Sequence, residues 1–359
     1  IQASLTSAAG DAYAILVDAD ADDNGDDGID LSLSANGYAI SALLCSNVDG
    51  NVDDGLHVVQ NSANADAFAL LANTEAWDNG GVGFWYDLTA PNGDAAICAT
   101  DVEAYFNGGR GARFTLAAGD EAALLVGTNA LPLFDMEFSG FLGASILDTF
   151  WDVIPQGPAE FNNNGTGGLY ADLTSTGGNA WVDVDGAEAS FNGNNGFILT
   201  LNAPAGDIFS TFAQTTANGN GNSGINLTLN GAGSTASAWF DAVGTSGNGG
   251  NGITVEDAYT GPVYVGGQYL VSQNNGANGV RLVLSGLGGV PVLDFGGGGD
   301  SAGQSSIFGN GNRDFRYNNG GGATAMAENN WWGTVAPVAG QFAGSVDRTP
   351  WLLTDPNAP

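Results

Sequence analysis

Apolar and polar residues alternate in short runs along most of the chain. In "IDLSL" (29–33), "FWYDL" (84–88) and "INLTL" (225–229), every second residue is apolar. A period of two is typical of a β-strand that buries one face, so we expect the first, third and fifth side chains of each run to face inward. A second apolar run follows, as in "AFALL" (67–71) and "AWVDV" (180–184), and then a shorter third one. The pattern predicts an all-β protein.

The three runs repeat together along the chain. Each set is preceded by Asn-x-x-x-Gly, which recurs nine times at intervals of 27 or 28 residues, apart from one interval of 57. The asparagines of this motif are Asn24, Asn51, Asn79, Asn107, Asn164, Asn192, Asn220, Asn248 and Asn275. The interval of 57 is close to two periods, so we expect a degenerate coil near residues 135–140.

Three strands per repeat, with no helical segment between them, predict one coil of a parallel β-helix. Coils pair at ~4.8 Å, so about twelve of them form a rod of roughly 55 Å. We expect the asparagines to stack into an inward ladder that satisfies backbone groups at the corner, and the glycines to adopt its left-handed backbone. The strand period excludes a helical solenoid, and a β-propeller needs repeats of about 40 residues or more.

The C-terminal segments "NNWWG" (329–333) and "VDRTPWL" (346–352) resemble the ending of many secreted right-handed parallel β-helix repeat proteins of bacteria and archaea. The resemblance extends over the repeats as well. It implies a right-handed parallel β-helix over residues 1–334 and a capping tail over residues 335–359. Such proteins include polysaccharide lyases, hydrolases, adhesins and surface-layer components. The resemblance therefore implies an extracellular or cell-surface location without selecting an activity.

The charge of the chain restricts its partners. There are 39 acidic residues against six arginines, one histidine and no lysine, which gives a net charge of -33. Nucleic acids and anionic membranes would be repelled, so neither is expected as a partner. The longest apolar runs are also too short for membrane insertion. The opening "IQASLTSAAG" (1–10) suits a processed mature protein or an excised fragment.

The stretch "DADADDNGDDGID" (18–30) concentrates aspartates, and "NVDDG" (51–55) repeats part of it one coil later. The register stacks the two aspartate pairs ~5 Å apart, where they would repel one another unless a cation intervened. The segment "DADDNG" (20–25) is similar to the opening of an EF-hand loop, but the terminal glutamate of that loop is missing. A Ca²⁺ site and a solvated acidic corner are both open. The candidate ligands are Asp20, Asp22, Asp26, Asp27, Asp49, Asp53 and Asp54.

One outward face collects the residues that could bind or react. Its column two residues past each motif glycine contains Asp30, His57, Trp85, Arg113, Phe141 and Tyr170. Exposed aromatic rings could stack on sugars, which makes Trp85, Phe141, Tyr170 and Arg113 candidate ligand-binding residues. Arg113, Asp87 and His57 are weaker catalytic candidates for a lyase or hydrolase. A solvated mixed face is the alternative.

The cysteines follow from the same stacking. Cys45 and Cys98 lie two coils apart, and ~9.6 Å is beyond the ~7 Å limit for a disulfide. We therefore expect two free, buried thiols.

Taken together, these features favour an extracellular structural or adhesive protein. No amphipathic helix precedes the first predicted strand, so residues 1–11 could contact another copy by head-to-tail stacking or by strand donation, giving a filament. A carbohydrate-active enzyme or a glycan-binding module is the alternative.

Overall fold

The computed structural model describes residues 1–128, 157–233, 235–285, 289–297, 301–319 and 322–358. These residues form parallel strands and one short 3-10 helix, Ala339–Gln341. The first ten strands are β1 (Gln2–Ser7), β2 (Ala12–Val17), β3 (Ile29–Ala35), β4 (Ala39–Asn47), β5 (Leu56–Ser62), β6 (Ala67–Trp77), β7 (Phe84–Ala90), β8 (Ala95–Tyr105), β9 (Arg110–Ala118) and β10 (Ala122–Gly127). The next nine are β11 (Ala159–Glu160), β12 (Gly167–Ser175), β13 (Ala180–Asp185), β14 (Phe197–Ala203), β15 (Ile208–Ala213), β16 (Ile225–Gly231), β17 (Ala236–Asp241), β18 (Ile253–Tyr259) and β19 (Val263–Gln268). The last eight are β20 (Val271–Gln273), β21 (Asn278–Leu284), β22 (Val292–Asp294), β23 (Ser306–Phe308), β24 (Arg313–Asn319), β25 (Ala325–Met326), β26 (Phe342–Ala343) and β27 (Val346–Asp347).

The strands form two long sheets. Sheet A has 12 strands in the order β1-β3-β5-β7-β9-β12-β14-β16-β18-β21-β24-β26. Sheet B has the order β2-β4-β6-β8-β10-β13-β15-β17-β19-β22-β25-β27, with β11 paired to β8. The chain therefore alternates between the sheets and advances one strand at each pass. This is a parallel β-solenoid of about 11 turns with ~28 residues per turn, which confirms the predicted fold.

The alternation of the strands builds the core between the sheets. In β16, Ile225, Leu227 and Leu229 are fully buried and face inward, as their spacing predicts. Aromatic rings stack between coils in the same interior, for example Phe212 on Phe240 with centroids 5.2 Å apart. One continuous hydrophobic core runs along the solenoid.

The asparagines of the repeat form an inward ladder. Asn220 is typical, because its Nδ2 donates to Asn248 Oδ1 (3.0 Å) and to the carbonyl of Ala189 (3.0 Å). Its Oδ1 in turn accepts the backbone N–H of Asn192 (2.9 Å). The ladder continues to Asn310, which the repeat search missed because Asp314 replaces the motif glycine and the spacing from the preceding rung is 35 residues. The Asn220 side chain thus satisfies backbone groups of the preceding coil and bonds the side chain of the following rung.

The motif glycines have a different role from the expected one. They do not have positive φ angles. At Gly224, a Cβ atom would lie 2.8 Å from the Gly252 carbonyl oxygen and 3.0 Å from Asn248 Nδ2. Glycine is therefore required by the close approach of the next coil, whereas left-handed backbone occurs at other corner positions such as Asp23 and Asn163.

The interval of 57 residues does not hold a second coil. β9 pairs directly with β12, and β10 pairs directly with β13, with the register Arg113↔Tyr170 in the first pair. Paired strands lie ~4.8 Å apart, which leaves no space for a coil between them. The expectation of a degenerate coil within the stack is therefore wrong. Residues 135–140 and the candidate Phe141 lie outside the described residues.

The ends of the solenoid differ from each other. At the N-terminal end, β1 pairs with β3 of its own chain, and Leu5, Ile15 and Val17 are exposed. At the C-terminal end, β26 and β27 continue both sheets beyond residue 334, and the Arg348 guanidinium lies 4.7 Å from the Phe342 ring.

One prediction about the cysteines is wrong. Both thiols are free and Cys98 is buried, but Cys45 is exposed. Cys45 has a φ of 50°, which interrupts the alternation of β4 and turns its side chain toward solvent.

In the part of the chain that the structure describes, no helix is long and apolar enough to cross a bilayer.

Asn220→Ala should lower the free energy of unfolding by about 1–3 kcal/mol, because the Asn192 N–H and the Ala189 carbonyl lose their buried partner. Asn222→Ala is the matched control, since Asn222 lies exposed on the same corner. Urea unfolding followed by circular dichroism measures both variants. Equal free energies of unfolding for the two variants would show that the buried Asn220 amide does not stabilise the fold.

Candidate functional site

Several aspartate side chains of the N-terminal corner accept hydrogen bonds from backbone N–H groups. In one column, Asp22 accepts the N–H of Asp49 (3.0 Å), and Asp49 accepts the N–H of Trp77 (2.7 Å). In a second column, Asp27 accepts the N–H of Asp54 (3.0 Å). Each carboxylate thus satisfies a donor of the following coil, as the asparagine amides do inside the corner. This bonding explains how the corner holds many aspartates without a basic partner for each.

The same columns continue along the solenoid with other residue types. Asp54 accepts the N–H of Val82, and farther along Asn195 accepts the N–H of Ser223 (2.9 Å). Asp, Asn and Ser are interchangeable here because each offers a short side-chain oxygen. The acidic N-terminal corner is therefore a charged version of a structural column that elsewhere is neutral.

Burial opposes ionisation of several of these groups. It raises the pKa of Asp27, Asp49 and Asp54, and the backbone N–H bonds act in the opposite direction. The pKa of Asp20 is raised mainly by its side-chain contact with Asp22. Neighbouring carboxylates raise these pKa values further, which makes the corner a favourable environment for cations.

Three of the seven predicted metal ligands come together. Asp26, Asp27 and Asp53 each place a carboxylate oxygen within 4.8 Å of the others. Within the described part of the chain, Asp20, Asp22, Asp49 and Asp54 belong to no such group. Ca²⁺ at this corner remains a prediction. Asp27 belongs to a second group as well, together with Asp30 and His57, which the spacing of the aspartates did not indicate.

The predicted column on sheet A is present in the strand register. Asp30, His57, Trp85, Arg113 and Tyr170 stand side by side on consecutive strands. The side chains contact each other along the column, and the Nδ1 of His57 lies 3.4 Å from an oxygen of Asp30.

The rings of this column are not the open platform that we expected. The His57 ring lies 4.8 Å from the Trp85 ring on one side, and the Arg113 guanidinium carbon lies 4.2 Å from it on the other. Arg110 covers the ring of Tyr170 in the same way, at 4.5 Å. The reason is the strand spacing of ~4.8 Å, which is itself a stacking distance. Sugar rings would therefore meet the edge of Trp85, unless Arg113 moved.

Three neighbouring side chains on this face have unsatisfied polar atoms. Trp85 Nε1, Asp87 Oδ1 and Arg113 Nε are buried and have no hydrogen-bond partner among the described residues. Each such atom leaves a desolvation penalty uncompensated. Other buried polar atoms of the described residues share this state, among them Asn226 Oδ1 and Thr254 Oγ1 farther along sheet A, but only the group at Trp85 combines an indole, a guanidinium and a carboxylate.

The three catalytic candidates, His57, Asp87 and Arg113, are not hydrogen-bonded to one another. Trp85 separates His57 from Arg113, which puts the two strands ~9.6 Å apart. Asp87 pairs across the strands with Val59 and Thr115. In the described part of the chain, no hydrogen bond joins any two of the three candidates.

Sequence reasoning missed Arg110, whose position falls outside the outward column. Burial is the main cause that lowers the pKa of its guanidinium, and the nearby Arg113 adds to it. Arg110 and Arg113 thus place two cations close together on a chain of net charge -33.

Sequence reasoning also missed a second apolar layer on the outside of sheet B. Phe68, Cys98 and Leu125 are buried there in a cluster separate from the core. The layer borders on the exposed side chains of Tyr13 and Ile15 of β2. The nearly unbroken apolar runs of β4, β6 and β8 were the available signal, because a strand buried on both faces loses its alternation.

Few known proteins are similar to this chain, and those that are similar share little sequence with it. No family model matches the chain. No curated protein matches it either. Among solved structures, two variants of the periplasmic alginate epimerase AlgG are similar, at 12% and 11% identity, with TM-scores of 0.27 and 0.24. Each match covers 88% of this chain and 77% of the other. At this level of similarity the matches do not assign a function.

Asp183 provides a pH-dependent test of the outer face of sheet B. Burial, with Asp185 nearby, raises the pKa of Asp183 from its usual 3.8 to about 6. The folded state therefore holds a proton that the unfolded state has released, and stability is lost as the pH rises from about 4 to 6. In Asp183→Asn, the melting temperature should fall less between pH 4 and 7, by ~2–4 °C.

The control for this measurement is Asp120→Asn, which neutralises an exposed carboxylate. Differential scanning calorimetry at one fixed salt concentration gives the three profiles. A profile of Asp183→Asn parallel to that of the wild type would rule out the protonated carboxyl.

Proposed function

We propose that the protein is an adhesive, glycan-binding β-solenoid, and that its binding surface is the face formed by Trp85, Asp87, Arg110, Arg113 and Tyr170, called the glycan face below. The observation that carries the proposal is the set of three unsatisfied polar atoms on Trp85, Asp87 and Arg113. Two are donors and one is an acceptor, and all three stand on adjacent outward positions of β7 and β9.

Sugar hydroxyl groups match this set because each can donate and accept. A ligand that displaces the Arg113 guanidinium from the Trp85 ring would expose the indole face and Nε1 together. The guanidinium could then bind the same ligand through hydrogen bonds. Free energy lost from the cation–π contact would be replaced by a sugar–aromatic contact of similar size.

The charge distribution selects the class of glycan. Long-range repulsion from a net charge of -33 disfavours a uniformly anionic polysaccharide. Arg110 and Arg113 favour isolated acidic groups at close range. We therefore propose a neutral or sparsely acidic glycan. A location outside the cell, where such polymers are displayed, is part of the proposal.

Arg113→Ala and Trp85→Ala should each weaken binding to an immobilised glycan about tenfold or more, which corresponds to the loss of roughly 1.5–3 kcal/mol of charged or buried hydrogen bonding. A panel of neutral and acidic oligosaccharides identifies the ligand, and isothermal titration calorimetry gives the affinities. Binding should decrease little in Thr228→Ala, a substitution on the same face three strands beyond β9.

Each other outcome of this experiment has a meaning. Loss of binding in Thr228→Ala would move the site along the sheet. Absence of binding across the panel would refute the proposal. Release of new reducing ends during incubation would show cleavage of the glycan, by hydrolysis or by elimination, and favour the enzyme interpretation, with Asp87 as the carboxylate to substitute.

We infer a second function, end-to-end association, from the separation of charge along the rod. Eight aspartates fall within residues 11–30, whereas four of the six arginines fall within residues 281–348. Arg313 and Arg316 border a depression of about 560 Å³ beside β26. Residues 281–348 also hold five acidic residues, so we assign the attraction for the acidic first coil of another copy to Arg313 and Arg316 alone. Because β1 is paired within its own chain, stacking of ends fits this arrangement and strand donation does not.

The double variant Arg313→Glu/Arg316→Glu should shift the protein toward monomers at low salt, because like charges would then face each other across the contact. Analytical ultracentrifugation at ~50 and ~500 mM NaCl measures the change, since the higher salt screens the attraction. Arg281→Glu is the control, as Arg281 is already paired with Glu256 (2.7 Å). A wild-type protein that is monomeric at both salt concentrations and at high protein concentration would refute the association.

A further inference from the structure

The only histidine of the chain lies between two carboxylates at the edge of the acidic corner. His57 is the second residue of β5, and Asp30 is the second residue of β3 directly beside it. Asp27 stands at the corner that leads into β3. Each of the three residues places one ligand atom within 4.8 Å of the other two.

The contact between His57 and Asp30 has an unusual length. Nδ1 and the carboxylate oxygen are 3.4 Å apart, which is longer than the 2.7–3.2 Å of an ordinary N–H···O hydrogen bond. Two ligand atoms bound to one tetrahedral Zn²⁺ at ~2.0–2.1 Å are ~3.3–3.4 Å apart. The separation therefore matches an edge of a metal tetrahedron better than a direct hydrogen bond.

Other groups hold the three side chains in place. Asp27 accepts the N–H of Asp54 (3.0 Å), and Asp30 accepts a hydrogen bond from the Gln2 side chain (3.0 Å). The imidazole of His57 rests against the Trp85 ring at 4.8 Å. Each carboxylate thus has one oxygen fixed by a donor and a second oxygen that can bind a cation. Such outer contacts orient the ligands of natural metal sites.

We propose that Asp27, Asp30 and His57 bind one divalent transition-metal ion of the Zn²⁺ class. An imidazole nitrogen is a preferred ligand of this class, whereas Ca²⁺ and Mg²⁺ prefer oxygen alone. Two carboxylates supply the charge that neutralises the ion. Because His57 and Asp30 are partly exposed, with 26% and 32% of their side chains accessible, water can complete the coordination.

This site is distinct from the glycan face and shares one ligand, Asp27, with the predicted Ca²⁺ group. His57 and Asp30 contribute to neither, and only Asp27 is shared with Asp26 and Asp53. The shared residue provides the control. Asp53→Asn removes charge from the corner but none of the three proposed ligands.

Titration of the full chain with Zn²⁺, after dialysis against a chelator, tests the proposal. Calorimetry at about 0.5 M NaCl, where diffuse counterion binding is screened, should show one ion per chain. His57→Gln and Asp30→Asn should each weaken the affinity roughly tenfold or more, whereas Asp53→Asn should change it less than about threefold. Excess Ca²⁺ should not displace the ion.

A second measurement does not depend on variants. Co²⁺ bound to the wild-type protein should give the intense visible absorption of a tetrahedral ion, and Zn²⁺ should remove it. Thermal unfolding in chelator shows whether each variant folds like the wild type. The proposal is overturned if the wild type binds no ion at this salt concentration, or if Asp53→Asn weakens binding as much as His57→Gln.

Discussion

Every coil of this protein must lie in register on the next, and the buried asparagine ladder is where that requirement is most stringent. Each amide bonds its neighbour and a carbonyl of the coil before it, so a shift of one coil would leave several buried polar groups without partners. The motif glycines follow from the same constraint, because the next coil passes too close for a Cβ atom. The same distance of ~4.8 Å between coils sets the spacing of the paired strands, of the core side chains and of the corners.

The acidic composition has a structural explanation in the same repeat. A corner leaves backbone N–H groups that no strand satisfies, and a short side-chain oxygen one coil away is in reach of them. Aspartate fills this role in the first coils, and asparagine or serine fills it later, as Asn195 and Ser223 do. Ionised acceptors form stronger bonds to N–H groups, but their mutual repulsion and burial raise their pKa values. The N-terminal corner therefore gains bond strength and loses electrostatic stability at once.

The sequence was sufficient to predict the features in which one residue type, or one class of residue, recurs at a fixed spacing. The ladder asparagines and the inward apolar positions recur at a fixed spacing, so the fold and the neighbours in each column could be derived. The corner acceptors repeat only as a chemical property, since Asp22, Asn162 and Ser190 occupy one column. The direct pairing of β9 with β12 could not be derived either. An insertion that leaves the stack and an additional coil within it would both lengthen the interval by about one period. Cys45 escaped because one positive φ reverses the alternation of its strand.

The structural role of many aspartates makes the others informative. A carboxylate that caps a backbone N–H needs no further explanation, whereas Asp30 and Asp87 face outward from strands whose own bonds are complete. Asp30 stands next to the single histidine, His57, and Asp87 lies on the strand of Trp85, beside the strand that carries Arg113. In a solenoid, a residue type that appears once in a column is not required by the repeat. Histidine and tryptophan each occur once in the outward column that runs from Asp30 through His57 and Trp85 to Arg113, so the repeat itself does not account for them.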